Sequence, residues 1–282
     1  NETVIQADLI GVGCNIYLED WSNGMINSPD YVFTLIDRLA DTPALRIMLP
    51  DTLGVLSPSM VSEMVASILS RFPNCSFDFH AHNDYGLATA NTLAAVAAGI
   101  NCVHCTVNGM GERAGNAPLD EVVVGCHDFL DKDCRVQENQ LIQLSEIVDV
   151  ASGRRVPANK AISGANVFTQ TAGIHADGDK KGNLYQSQLS PERFGRKRSY
   201  ALGKLSGKAT LEHHLNELSI ELTADQRSEV LERVKELADR KATISQNDLP
   251  YIIDDVLARP HDRHFVLDSV MIVSSFGLRS TA

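Results

Sequence analysis

The sequence predicts an α/β fold, half of a (β/α)8 TIM barrel, followed by helical linker subdomains. Two observations carry that expectation. Short β-rich runs recur about every 25 to 30 residues, the length of one βα unit, and each run ends in ionisable or metal-competent side chains.

The first run, Asn15-Ile16-Tyr17-Leu18, ends in Glu19-Asp20. Behind Ser28-Pro29-Asp30 a helical pattern runs from Tyr31 to Leu39, with Ser28 placed to cap it and Pro29 suited to its first turn. Arg46-Ile47-Met48-Leu49 leads to Pro50-Asp51-Thr52, and Ser57 precedes a helix over Pro58 to Phe72. Ser76-Phe77-Asp78-Phe79 leads to His80-Ala81-His82-Asn83-Asp84, followed by an Ala-rich helix from Leu87 to Ala98 that Gly99 stops. The fourth run, Asn101 to Val107, opens into Asn108-Gly109-Met110-Gly111-Glu112-Arg113. Strands alternating with helices imply a parallel sheet. An open doubly wound sheet binds mainly at one switch point, so four loaded ends in succession favour the barrel, whose strand termini converge on one mouth. Four units are half of the eight that closure needs.

After Pro157 the pattern changes. Residues 158–205 are rich in Gly, Lys, Arg, Asn and Gln with little periodicity, which reads as a functional arm rather than core. The helical period returns over Gly207 to Leu218, Thr223 to Ala238 and Gln246 to Leu257, and His264 to Val273 reads as a strand opening a further domain.

Composition narrows the function. The 282 residues are 44% hydrophobic and 22% charged, ample for a buried core, and the net charge of −11 disfavours nucleic acid and anionic membranes as partners. No apolar run approaches the roughly 20 residues that cross a bilayer. The opening Asn1-Glu2-Thr3 lacks the features of a signal peptide, so a cytoplasmic protein is expected. Six cysteines without a regular framework read as reduced core residues, including the lone Cys102-x-x-Cys105.

His80-Ala81-His82 is the sharpest local signal. Alternation along a strand puts both imidazoles on one face, where they can aim at one ion or stand as two hydrogen-bonded surface histidines. Asn108, Glu112 and Asn116 follow the next strand, and carboxamide and carboxylate beside imidazole suit a divalent ion such as Mg, Mn or Zn. The glycines of residues 108–116 permit tight turns and close approach, but their spacing departs from the dinucleotide fingerprint. Glu19 shares the mouth with the histidines or pairs with an Arg; Thr52 offers a hydroxyl to a substrate carboxylate or belongs to a turn with Asp51. Between Lys180 and Lys208 eight basic residues face Glu192 alone, a local patch fitted to a phosphate-bearing cofactor or an acidic neighbouring subunit. His175, two residues from Asp177 in flexible polar chain, is a candidate general acid or base or a solvated loop histidine.

Five segments together resemble the acyl-CoA and 2-oxo acid condensing enzymes of the DRE-TIM metallolyase group: 2-isopropylmalate, citramalate and homocitrate synthases. They are Tyr17 to Gly24, Leu49 to Gly54, His80 to Asp84, Asn108 to Asn116 and Thr171 to Gly178. The likeness is nearest to the bacterial 2-isopropylmalate and citramalate synthase branch. It implies that His80, His82 and Asn116 bind a divalent metal, that Thr52 contacts the oxo-acid carboxylate, and that Glu19 acts with His175 to remove a proton from the acetyl-CoA methyl. His175 would come from the partner subunit of a homodimer with an exchanged linker arm, with Asp177, Asn183 and Tyr185 near that site. Tyr17, two residues before Glu19, would shorten the oxo-acid pocket and favour pyruvate over 2-oxoisovalerate.

On this likeness residues 1–156 are the C-terminal half of a catalytic barrel, 157–205 the arm, 206–260 a helical subdomain and 261–282 the start of a regulatory domain. The family's Asp-Arg pair on its first strand has no counterpart here, so a fragment truncated at both ends is expected. Homocitrate synthase, a hydroxymethylglutaryl-CoA lyase type of enzyme and a non-catalytic regulatory subunit are the alternatives. The lyase type resembles a loop with a reactive Cys where this chain has Gly109-Met110-Gly111-Glu112-Arg113.

Overall fold

The computed structural model describes residues 2–170, 187–197, 199, 200, 202, 203, 206–240, 244 and 248–257. They fall into two compact units, the first within 1–169 and 186–198, the second within 170–185 and 199–282. His175, Asp177, Asn183, Tyr185 and the expected strand from His264 lie outside the described residues.

In the first unit, helix α1 (Glu2–Leu9) precedes four strands: β1 (Cys14–Tyr17), β2 (Ala44–Asp51), β3 (Phe77–Ala81) and β4 (Cys102–His104). They pair in parallel in chain order, so each crossover adds the next strand to the same edge. That order has no reversal point, and it is the order of a barrel arc. The expected α/β class and barrel-type parallel sheet hold.

The crossovers are α2 (Trp21–Asn27) with α3 (Pro29–Ala40), then α4 (Pro58–Arg71) and α5 (Ala88–Ala97). Ser57 caps α4 by accepting from the Met60 amide, whereas Ser28 precedes α3 without a side-chain capping bond. Pro29 occupies the first turn of α3 as expected. Gly99 follows α5 at φ 113°, a conformation that suits glycine. Strand β4 stops at His104 rather than Val107, because the backbone of Thr106 pairs instead with Ala117 and Leu119 of the returning chain. Helices α2, α6 (Leu119–Leu130) and α7 (Leu141–Ser152) complete the unit and were not anticipated.

Alternation divides the sheet chemically. Ile47, Leu49, Phe77, Phe79 and Ala81 join Ile36, Val61, Val65 and Ile68 of the helices in one buried core. Each of these side chains larger than Ala81 contributes roughly 1.5–3 kcal/mol on burial. The alternate positions carry Tyr17, Arg46, Asp78, His80 and His104 around the apolar Met48 and Pro50, so the other face of the sheet is mainly polar.

The arm read as non-core chain supplies apolar anchors. Ile162, Phe168 and Phe194 pack with Val123, Val124 and Leu141, and Arg193 is held by Asp128 at 2.8 Å and by Glu138. Lys160, almost fully buried, bridges Asp120 and Glu121 at 2.9 and 3.0 Å. Three large side chains without helical spacing suffice for a small core once ion pairs position them. All six cysteines are free, as expected, but only Cys126 is a core residue: Cys75 and Cys105 pack against the core half-buried, Cys14 and Cys102 are half-buried outside it, and Cys134 is exposed.

The second unit holds α8 (Lys208–Glu217), α9 (Ala224–Asp239) and α10 (Leu249–Val256) around Leu211, Leu215, Val230, Val234, Leu249 and Ile253. A capping box between Thr223 and Gln226 fixes the start of α9. No helix among the described residues is long and apolar enough to cross a membrane.

Candidate active site at the strand ends

The carboxyl ends of β1, β2 and β3 meet through side-chain hydrogen bonds. The Thr52 hydroxyl donates to Glu19 Oε1 at 3.0 Å and accepts from the Asp20 amide at 3.0 Å. Asp51, buried beside it, accepts from the amides of Val55 and Leu56, so its role is to hold the turn that presents Thr52. The Thr52 carbonyl in turn accepts from His82 Nδ1 at 2.5 Å. A second donor, Arg113 Nη2, reaches that oxygen at 2.6 Å while the same guanidinium grips Asp84. This pairing holds the Asp84 carboxyl below the usual range.

The glycine loop folds back onto this edge. Asn116 faces His82 across an antiparallel bridge, and Asn83 donates its amide to the Gly115 carbonyl at 2.8 Å. Gly115 has φ 90°, and a Cβ there would stand 2.0 Å from the Gly109 carbonyl. Glycine is therefore required by both torsion and space. Asn108 is turned away, bonded through both its amide atoms to Ser145, and the Glu112 side chain is 82% exposed. Of the three residues offered after the fourth strand, only Asn116 is brought to the histidines.

His80 and His82 lie edge to face with ring centroids 5.0 Å apart. Burial, then the neighbouring His82 and His104, pushes the His80 pKa down to about 4, against a weaker pull upward from Glu19. His80 is thus neutral at pH 7, the form that ligates metals. Its Nδ1 and the Oδ1 of Asn116 are buried polar atoms with no hydrogen-bond partner. Two such orphans at one strand edge are unusual, and a bound cation would give each the partner it lacks. The bond from His82 Nδ1 to a carbonyl leaves Nε2 with the free lone pair, the arrangement that orients metal-binding histidines.

A second group, Asp78, Cys102 and His104, brings its potential ligand atoms within 4.8 Å of one another. Charge argues against a cation there. Asp78 already accepts from Arg46 Nε at 2.6 Å and His104 Nε2 at 3.2 Å, so an incoming ion would face a guanidinium in its place. Burial pushes the Asp78 carboxyl up, but Arg46 and His104 outweigh it and hold it below the usual range. Neither Asp78 nor His104 was singled out from sequence as a functional residue. The alternation that pairs His80 with His82 also places Asp78 on their face, and parallel register sets His104 opposite His80.

An arc of parallel strands with imidazoles, a carboxylate and a hydroxyl gathered at its carboxyl edge defines an α/β protein of the barrel class, in which strand ends are the usual place of the active site. The chain belongs to the HMGL-like family, whose model matches residues 4–151, and residues 162–242 match the homocitrate synthase post-HMGL domain-like model. It is 37% identical over 265 residues to the "Putative (R)-citramalate synthase CimA" of Methanopyrus kandleri, covering 94% of this chain and 52% of that one. It is 38% identical over 255 residues to the 2-isopropylmalate synthase of Methylobacterium nodulans, covering 88% and 49%. The chain therefore spans about half the length of the curated relatives it matches. A solved HMG-CoA lyase of Bacillus subtilis is 22% identical with a TM-score of 0.48, covering 55% of this chain and 54% of that one, too partial a likeness to inform the site.

Proposed function

We propose that this chain is part of an acyltransferase that condenses acetyl-CoA with a 2-oxo acid in branched-chain amino-acid biosynthesis. The product would be 2-isopropylmalate from 2-oxoisovalerate or citramalate from pyruvate. The carrying observation is the joining of Glu19, Thr52, His80, His82 and Asn116 at one strand edge, in a chain related to synthases of those names.

His80, His82 and Asn116 would hold the divalent cation (Mg, Mn or Zn), which supplies Lewis-acid polarisation of the keto group when bound. The chain's own residues do the rest. Glu19, held by the Thr52 hydroxyl in the free chain, would take a proton from the acetyl methyl, with His175 of a partner subunit as the second proton-transfer group. The methyl carbon then bonds to the keto carbon as the carbonyl π pair moves to its oxygen, which takes up a proton, and water splits the thioester into a carboxylate and CoA. On substrate binding the Thr52 hydroxyl, which has one proton to give, would turn it from Glu19 to the oxo-acid carboxylate, while Asp177, Asn183 and Tyr185 would line the same inter-subunit site. The basic arm between Lys180 and Lys208 would steer the CoA phosphates, with Arg193 already engaged by Asp128 and Glu138. A lyase of the reactive-cysteine type fits less well. The nearest thiol before the glycine loop, Cys105, is pushed up to about 12 by burial.

The test is to incubate the full-length gene product with acetyl-CoA, a panel of 2-oxo acids and a thiol reagent. CoA release with pyruvate or 2-oxoisovalerate supports the reading. Silence with every acid contradicts it and favours a non-catalytic regulatory subunit.

A further inference from the structure

Beneath the histidine pair runs a hydrogen-bonded chain that the condensation does not use. The Tyr17 hydroxyl lies 2.8 Å from His104 Nδ1, His104 Nε2 lies 3.2 Å from Asp78 Oδ2, and Asp78 Oδ1 accepts from Arg46 Nε at 2.6 Å. Each link sits on a different strand, from β1 through β4 and β3 to β2. The Asp78 side chain is only 3% exposed. A carboxylate can only accept, so His104 donates through Nε2 and its Nδ1 is left to accept the phenol proton of Tyr17. The ring so held lies against His80, with centroids 6.2 Å apart, although Tyr17 itself is 47% exposed. A half-exposed tyrosine without this tether would lose little by turning to another rotamer.

We infer that His104 is a positioning residue for oxo-acid selectivity: it fixes the Tyr17 ring beside His80, so that the pocket accepts a short 2-oxo acid and excludes one with a branched side chain. This rests on the proposed condensation and adds to it the residue that sets substrate size. Asp78 and Arg46 serve the same end by holding the imidazole of His104 through its second ring nitrogen.

The experiment compares pyruvate with 2-oxoisovalerate as acceptors for the full-length gene product and four variants. In His104→Asn the side-chain oxygen stands near the place of Nδ1 and still accepts from Tyr17; in His104→Gln the amide reaches the place of Nε2 and leaves Tyr17 untethered. The pyruvate-to-oxoisovalerate ratio of kcat/KM is expected to hold within about threefold in His104→Asn and to fall about tenfold in His104→Gln. The fall should come from a lower KM for the branched acid, with kcat for pyruvate kept. Tyr17→Phe should lower the ratio equally, and adding His104→Gln to it should change nothing further. A ratio unmoved by His104→Gln in an active enzyme overturns the proposal alone. A wild type that releases CoA with neither acid overturns the condensation reading and this proposal with it.

Discussion

His82 Nδ1 and the carbonyl oxygen of Thr52 are 2.5 Å apart, which ties the end of β3 to the end of β2 and sets the tautomer of a candidate metal ligand. Arg113 donates to the same oxygen at 2.6 Å and holds Asp84 with its fork. Replacing it with lysine keeps the charge and loses the fork. Arg113→Lys is expected to weaken Mn2+ binding by the full-length protein about tenfold, read by calorimetric titration. An unchanged affinity would show that this brace does not orient His82.

Gly115 is where the loop bearing Asn116 folds back. With φ 90° and the Gly109 carbonyl 2.0 Å from a would-be Cβ, Gly115→Ala forces the two limbs of the loop apart. A loss of about 3 kcal/mol or more is expected in urea unfolding, together with weaker metal binding. An unmoved urea midpoint would contradict the close approach.

His80 makes the fold sensitive to acid. Its pKa in the folded chain, about 4, lies below the ordinary 6.5, so the unfolded chain takes up the proton first as pH falls. The stability is fully present above about 6.5 and is lost progressively toward 4. Because the ring is partly solvated, the loss amounts to about 1–2 kcal/mol rather than the full conversion of the shift. Urea titrations at pH 7 and pH 4.5 in the presence of EDTA measure it. His80→Asn should flatten the dependence, and an equal slope in the variant would assign it elsewhere.

The thiols should separate by burial. Cys105 and Cys126 are each pushed up to about 12, chiefly by burial, while Cys134 is exposed. At pH 8 a thiol reagent should label Cys134 rapidly and reach Cys105 and Cys126 only on unfolding. Fast labelling of Cys105 in the native chain would reopen the reactive-cysteine reading.

The strands, their order and the loaded ends were legible because period-two runs and polar termini are local features. Glu19, Thr52, His80 and His82 were found on that basis, and the structure joins them. Helices α6 and α7 are less legible locally, because the β-branched run Val122-Val123-Val124 and the pair Leu141-Ile142 show apolar stretches without a clear helical period. Asn108 and Glu112 were offered on proximity in sequence alone. The left-handed backbone at Asn108, φ 59°, turns its amide toward Ser145, a long-range choice that no local pattern encodes. The Tyr17, His104, Asp78 and Arg46 chain spans four strands, so it emerges only once the register is known.

The central claim is that His80, His82 and Asn116, and not Asp78, Cys102 and His104, hold a divalent cation. Calorimetric titration of the full-length gene product with Mn2+ tests it directly, alongside His82→Ala and Cys102→Ser. One ion per chain is expected, bound at least about tenfold more weakly in His82→Ala and unchanged in Cys102→Ser. Binding lost in Cys102→Ser and kept in His82→Ala would contradict it.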